Sequence, residues 1–171
     1  MLRYSTLAAA ALLLAVVAGC DDDDDDGGTE TFTATLSGTQ EVPAVPTTAT
    51  GTAAITVQGD QLSYTVNVNG IENAVVSHIH IAPAGQNGPV RLNLCGTGDP
   101  LPDCTSGTGV LVTGTNGTTV GTPAITFDSL LSAMRSGGAY VNVHTDNGDA
   151  TLNTGPGDMA SGEIRGQIQT E

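Results

Sequence analysis

Apolar and polar residues alternate with a period of two through most of the chain beyond residue 30. Phe32, Ala34 and Leu36 are interleaved with Thr31, Thr33 and Thr35. Ala53, Ile55 and Val57 run to Gly59-Asp60, and Leu62, Tyr64, Val66 and Val68 alternate onward from there. In an extended strand successive side chains point to opposite faces, so each stretch offers one face to a core and one to water. The turn Gln58-Gly59-Asp60-Gln61 makes a hairpin of the second and third stretches. The pattern predicts further strands over 75–81, 90–94, 109–113, 138–144 and 162–169, giving eight short strands separated by Gly, Pro and Asn clusters. One segment departs from it: Leu130, Leu131 and Met134 share a face only in a helix, with Asp128 as its cap and Gly137-Gly138 as its end. Residues 114–122 and 146–158 read as loops. The expectation is an all-β sandwich or small barrel with one short helix over an open end.

A different pattern opens the chain. Arg3 precedes an unbroken apolar run, Leu7 to Val17. That run is shorter than the roughly 20 residues a membrane-spanning helix needs, and it suits the apolar region of an export signal. Val17-Ala18-Gly19-Cys20 follows at once and resembles the bacterial lipobox. The resemblance implies cleavage before Cys20 and lipidation of its thiol, so that two or three acyl chains hold the protein at a membrane. Asp21 to Asp26 then form a run of six acids before Gly27-Gly28. Like charges repel and resist burial, so this run reads as a solvated tether rather than a preorganised cation site. The organisation expected is a signal peptide over 1–19, the lipidated cysteine and tether over 20–30, and one folded domain over 31–171. The place expected is outside the cytoplasm, anchored to the cell envelope and facing the periplasm or the cell surface.

Charge narrows the partners. The chain carries 18 acids against four basic residues, a formal charge of −14. No lysine is present, and only Arg91, Arg135 and Arg165 remain beyond the signal, too few to neutralise a phosphate backbone; nucleic acid is excluded as a partner. A partner protein or glycan of the envelope or the extracellular space fits better. Apart from Cys20, two cysteines remain. Cys95 and Cys104 enclose a turn-rich segment, and in an exported protein such a pair is most simply a disulfide.

Three segments carry a resemblance. They are Phe32-Thr33-Ala34-Thr35-Leu36-Ser37-Gly38 with Gln40-Glu41-Val42-Pro43, then Ser77-His78-Ile79-His80-Ile81-Ala82-Pro83-Ala84-Gly85 with Gly88-Pro89-Val90, and Ala139-Tyr140-Val141-Asn142-Val143-His144-Thr145 completed by Gly162-Glu163-Ile164-Arg165-Gly166-Gln167-Ile168. In order and spacing they resemble the CHRD domain, first described in the chordin family and found in many exported bacterial proteins. The resemblance runs from about Phe32 to Gln169 and implies an immunoglobulin-like Greek-key sandwich or barrel. It implies no defined activity.

All three histidines fall inside these segments. Period two puts His78 and His80 on one face of a strand, and Tyr140, Asn142 and His144 on one face of another. If the strands are neighbours, three imidazoles converge. Neutral imidazole is the usual ligand of Zn²⁺ and Cu²⁺, and a three-histidine mononuclear site with an open position is ordinary chemistry. Asp146 is a weaker candidate, as a fourth ligand or as an acceptor orienting a ring. The competing reading makes the histidines polar cross-strand residues bonded to Asn142, Thr145 and nearby loops.

His-x-His on a glycine-rich β-sandwich also resembles copper–zinc superoxide dismutase, but that two-metal site needs more histidines than this chain has. Asp146-Asn147-Gly148-Asp149 looks like a calcium loop but lacks EF-hand spacing, so it reads as a turn. Arg165 pairs on paper with Glu163 two residues away, a structural contact. No nucleophile elbow accompanies the serines, and oxidised cysteines rule out cysteine catalysis. The sequence therefore suggests a lipid-anchored binding or structural module without catalysis. A mononuclear Cu or Zn protein is the second reading, and a metal-dependent redox enzyme the third.

Overall fold

A computed structural model describes residues 28–96, 100–116, 119–120 and 125–171. The predicted signal, Cys20 and the aspartate run lie outside these residues. In chain order the elements are β1 (Glu30–Ser37), β2 (Thr50–Gln58), β3 (Gln61–Ile71), β4 (Ala74–Ile81), β5 (Val90–Cys95), β6 (Gly107–Asn116), β7 (Thr119–Val120), β8 (Ile125–Thr126), α1 (Phe127–Arg135), β9 (Ala139–Thr145), β10 (Ile164–Gln167) and β11 (Gln169–Thr170). The eight longer strands are those the alternation predicts. Glu30, assigned to the tether, already belongs to β1, where it pairs with Val57.

Nine of the strands form one antiparallel sheet in the order β5-β4-β9-β10-β1-β2-β3-β6, with β11 also on β1, and β7 and β8 pair with each other apart from it. The sheet curls into a nearly closed barrel, so of sandwich and barrel the structure takes the barrel. Its interior is filled by the apolar half of each alternating strand: Phe32, Leu36, Ile55, Leu62, Ile71, Ile79, Leu94, Val141, Val143 and Ile164 are each at most 1% exposed. Burying each such side chain contributes about 1.5–3 kcal/mol relative to leaving it in water. The β2–β3 turn has Gly59 at φ 55°, a conformation that side chains with a Cβ resist.

The two end strands, β5 and β6, face each other across a seam. Tyr64 of β3 sends its hydroxyl over β6 to donate a 2.7 Å hydrogen bond to the Leu94 carbonyl of β5. The passage exists because Gly114 lies opposite Tyr64 in β6, and a Cβ there would fall 2.4 Å from the hydroxyl oxygen. The Cys95–Cys104 disulfide ties the end of β5 to the segment entering β6.

Two expectations change here. Residues 114–116, expected in a loop, continue β6 opposite Leu62–Tyr64, because Gly114 makes room for a ring rather than starting a turn. The helix is capped by Thr126, not Asp128: Thr126 has extended backbone, and its Oγ1 accepts a hydrogen bond from the Ser129 amide. Asp128 sits inside the first turn, where its charge favours the helix dipole. Phe127, Leu130, Leu131 and Met134 of the helix join the core, and Gly137, at φ 66°, ends it.

Candidate metal centre

β9 lies between β4 and β10. Its register with β4 sets His78 opposite Asn142, His80 opposite Tyr140 and His144 opposite Val76, and its register with β10 sets Asn142 opposite Arg165. The alternation that sends Ile79, Val141, Val143 and Ile164 into the core sends His78, His80, Tyr140, Asn142, His144 and Arg165 to the other face. Backbone on either side shields that face: Gly88 and Ala160 supply carbonyls to two of the rings.

The three imidazoles converge as the strand periodicity predicts. One ligand atom from each of His78, His80 and His144 lies within 4.8 Å of the others, and ring centroids are 5.0 Å apart for His78–His144 and 5.6 Å for His78–His80. Nitrogens sharing an ion with Zn–N bonds of about 2.0–2.1 Å stand no more than about 4.2 Å apart, so the rings must draw in slightly to hold one.

Hydrogen bonds on the far side of two rings set their tautomers. His80 donates from Nδ1 to the Gly88 carbonyl at 2.8 Å, and His144 donates from Nδ1 to the Ala160 carbonyl at 2.9 Å. Each therefore keeps an Nε2 lone pair, and the Nε2 of His80 is buried without a hydrogen-bond partner. This is the outer-shell arrangement that orients metal-binding histidines. Burial pushes His78 down to about 4, with the nearby His144 and His80 adding to the effect. Burial also lowers His80 and His144, partly offset by their backbone hydrogen bonds. At neutral pH all three are uncharged, the form that coordinates.

A second layer lies against the histidines. Tyr140 stacks on His80 with 4.7 Å between centroids and 8° between planes, and the Arg165 guanidinium carbon sits 3.4 Å from the Tyr140 ring centroid. Cation–π contact of this kind strengthens when the cation is desolvated, and Arg165 is 1% exposed. Gly88 links the layers, since its amide donates to the Tyr140 hydroxyl at 3.2 Å while its carbonyl holds His80. Asn87 accepts from Arg165 and donates to the Val42 carbonyl. Glu41 receives a 3.4 Å hydrogen bond from Asn142. Burial pushes its carboxyl up to about 7, against the opposing pull of Arg165.

Two sequence expectations fail against this geometry. Asp146 stays out of the cluster: its Oδ1 accepts from the Gly148 amide, and Asp149 closes a similar turn, because short carboxylates bond most readily to amides two residues on. Arg165 and Glu163 do not pair. Arg165 lies on Tyr140, whereas Glu163 accepts from Thr47, Thr145 and the Gly157 amide and binds three segments together. Periodicity already placed Tyr140 on the face of His144, but not its stacking on His80. Glu41 and Arg165 were missed as neighbours of the site, and their only signal was membership of the same sequence segments as the histidines.

Residues 32–168 match the family model described as CHRD domain. Nothing matches the chain among curated proteins or among solved structures.

Proposed function

The chain belongs to the CHRD domain family, and on that premise we propose that it is a binding module which holds a single transition-metal ion, copper or zinc, through His78, His80 and His144, at the end of a lipid-anchored tether. The observation that carries this reading is the pair of lone-pair nitrogens fixed by the Gly88 and Ala160 carbonyls, with His78 Nδ1 3.3 Å from His144 Nε2. Histidines serving only as cross-strand packing have no need of two rings anchored by backbone carbonyls at Nδ1, with the Nε2 of His80 left buried and unpartnered beside the other two imidazoles. That geometry ranks metal binding ahead of a purely structural module, the reading the sequence alone ranks first.

The ion is read as bound, not turned over. Three protein nitrogens leave a position open, but no described carboxylate or thiolate joins the cluster as a further ligand, and the dinuclear arrangement of superoxide dismutase is out of reach. The lipid anchor expected from Val17-Ala18-Gly19-Cys20 would suit a role in display or capture at the envelope, with protein or glycan as the other partner.

Metal analysis tests the proposal. The domain, isolated without chelator and then reconstituted with Cu²⁺ or Zn²⁺, is expected to retain about one ion per chain. His80→Ala and His144→Ala are expected to retain none. A folded wild type that holds neither metal returns the histidines to a packing role.

A further inference from the structure

Resting on that metal-binding reading, we infer that the site is built for a monovalent ion, copper as Cu(I) rather than Cu(II) or Zn(II). The donor set is the first reason. The cluster offers three imidazoles and no anionic ligand among the described residues, so nothing in it neutralises an ion's charge. The cost of taking an ion out of water grows with the square of its charge, and a divalent ion among neutral donors loses most.

The second reason is Arg165. Its guanidinium is buried on the far face of the Tyr140 ring, whose near face carries His80, and one of its terminal nitrogens has no hydrogen-bond partner. A fixed positive charge one ring away from a ligand penalises Cu(II) more than Cu(I). The nearby carboxylates compensate little. Glu163 is committed to Thr47, Thr145 and Gly157, and burial disfavours the charge of Glu41, which bonds Asn142. The third reason is coordination number. Zn²⁺ here would have to complete its four positions with water or an outside ligand, whereas Cu(I) is content with three.

The metal-free domain tests this by anaerobic titration with Cu(I) against bicinchoninate, alongside Cu(II), Zn(II) and Ag(I), a monovalent ion without redox chemistry in water. Cu(I) and Ag(I) are expected to bind one to one and to displace each other, and bound copper is expected to have a reduction potential above that of the aqueous ion. Arg165→Gln should lower the ratio of Cu(I) to Cu(II) affinity about tenfold, which is 59 mV for one electron. Should that variant fail to fold, the wild type alone decides, since Cu(I) and Ag(I) must then bind ahead of both Cu(II) and Zn(II). Tighter binding of Cu(II) or Zn(II), with Ag(I) ignored, would overturn the inference and leave the metal-binding reading intact. Failure of every ion to bind would remove both.

Discussion

His78 and His144 are 66 residues apart in the chain, yet Nδ1 of one lies 3.3 Å from Nε2 of the other. Because His144 donates its own Nδ1 hydrogen to Ala160, its Nε2 is the acceptor, and His78 must be the donor. An ion entering the cluster would replace that hydrogen bond, the His78 proton shifting to Nε2 so that Nδ1 offers a lone pair. His144→Ala is therefore expected to weaken Cu or Zn binding by more than about a hundredfold in chelator competition, beyond what loss of an outer-shell contact costs. The fold should survive, since the ring lies outside the barrel core. Unchanged affinity in a folded variant would sink the three-histidine site.

Gly88 should be nearly as sensitive without being a ligand. A Cβ at this position would fall 2.0 Å from the Ile81 carbonyl oxygen, so Gly88→Ala must shift the loop that holds both His80 and Tyr140. A loss of roughly 10–100-fold in metal affinity is expected, the range typical of outer-shell changes. Isothermal titration of wild type and variant measures it, and equal affinities would show that the loop does not position His80.

Glu41 gives a pH signature. Its folded-state value is raised to about 7 from an ordinary 4.5, so the folded form binds the proton more tightly. Its contribution is full below the ordinary value and fades as pH rises through about 7. The histidines act oppositely, since their lowered values cost stability as pH falls below 6.5. Urea unfolding of the metal-free protein at pH 5 and pH 8 should show Glu41→Gln gaining relative to wild type at the higher pH. An equal gap at both values would refute the assignment.

The disulfide closes a short loop at the barrel seam. Replacing both Cys95 and Cys104 by serine should cost about 2–3 kcal/mol by the chain-entropy relation, measured as the shift in urea midpoint. A cost near zero would mean that Tyr64 and the core hold the seam without it.

Metabolic labelling with a fatty-acid analogue should mark the full-length protein and leave Cys20→Ala unmarked. Equal labelling of the two would remove the lipid anchor.

The sequence by itself determined which residues face in and which face out, because the strand period of two is set by backbone geometry and needs no tertiary information. It thereby fixed the eight long strands, the helix and the common face of His78 and His80, and turn-rich spacing marked the Cys95–Cys104 pair. Only the tertiary structure decided that β4 and β9 are neighbours, which brings His144 to the other two rings. Strand order comes from packing among segments far apart in the chain, and periodicity is blind to it. The same limit hid the Tyr140–Arg165 stack, the shielding of Glu41 and the gap that Gly114 leaves for Tyr64, since each depends on what one strand meets on the next. Local rules misassigned Asp146, Asp128 and the Arg165–Glu163 pair for the converse reason: proximity in sequence suggested partners, and the folded backbone supplied better ones.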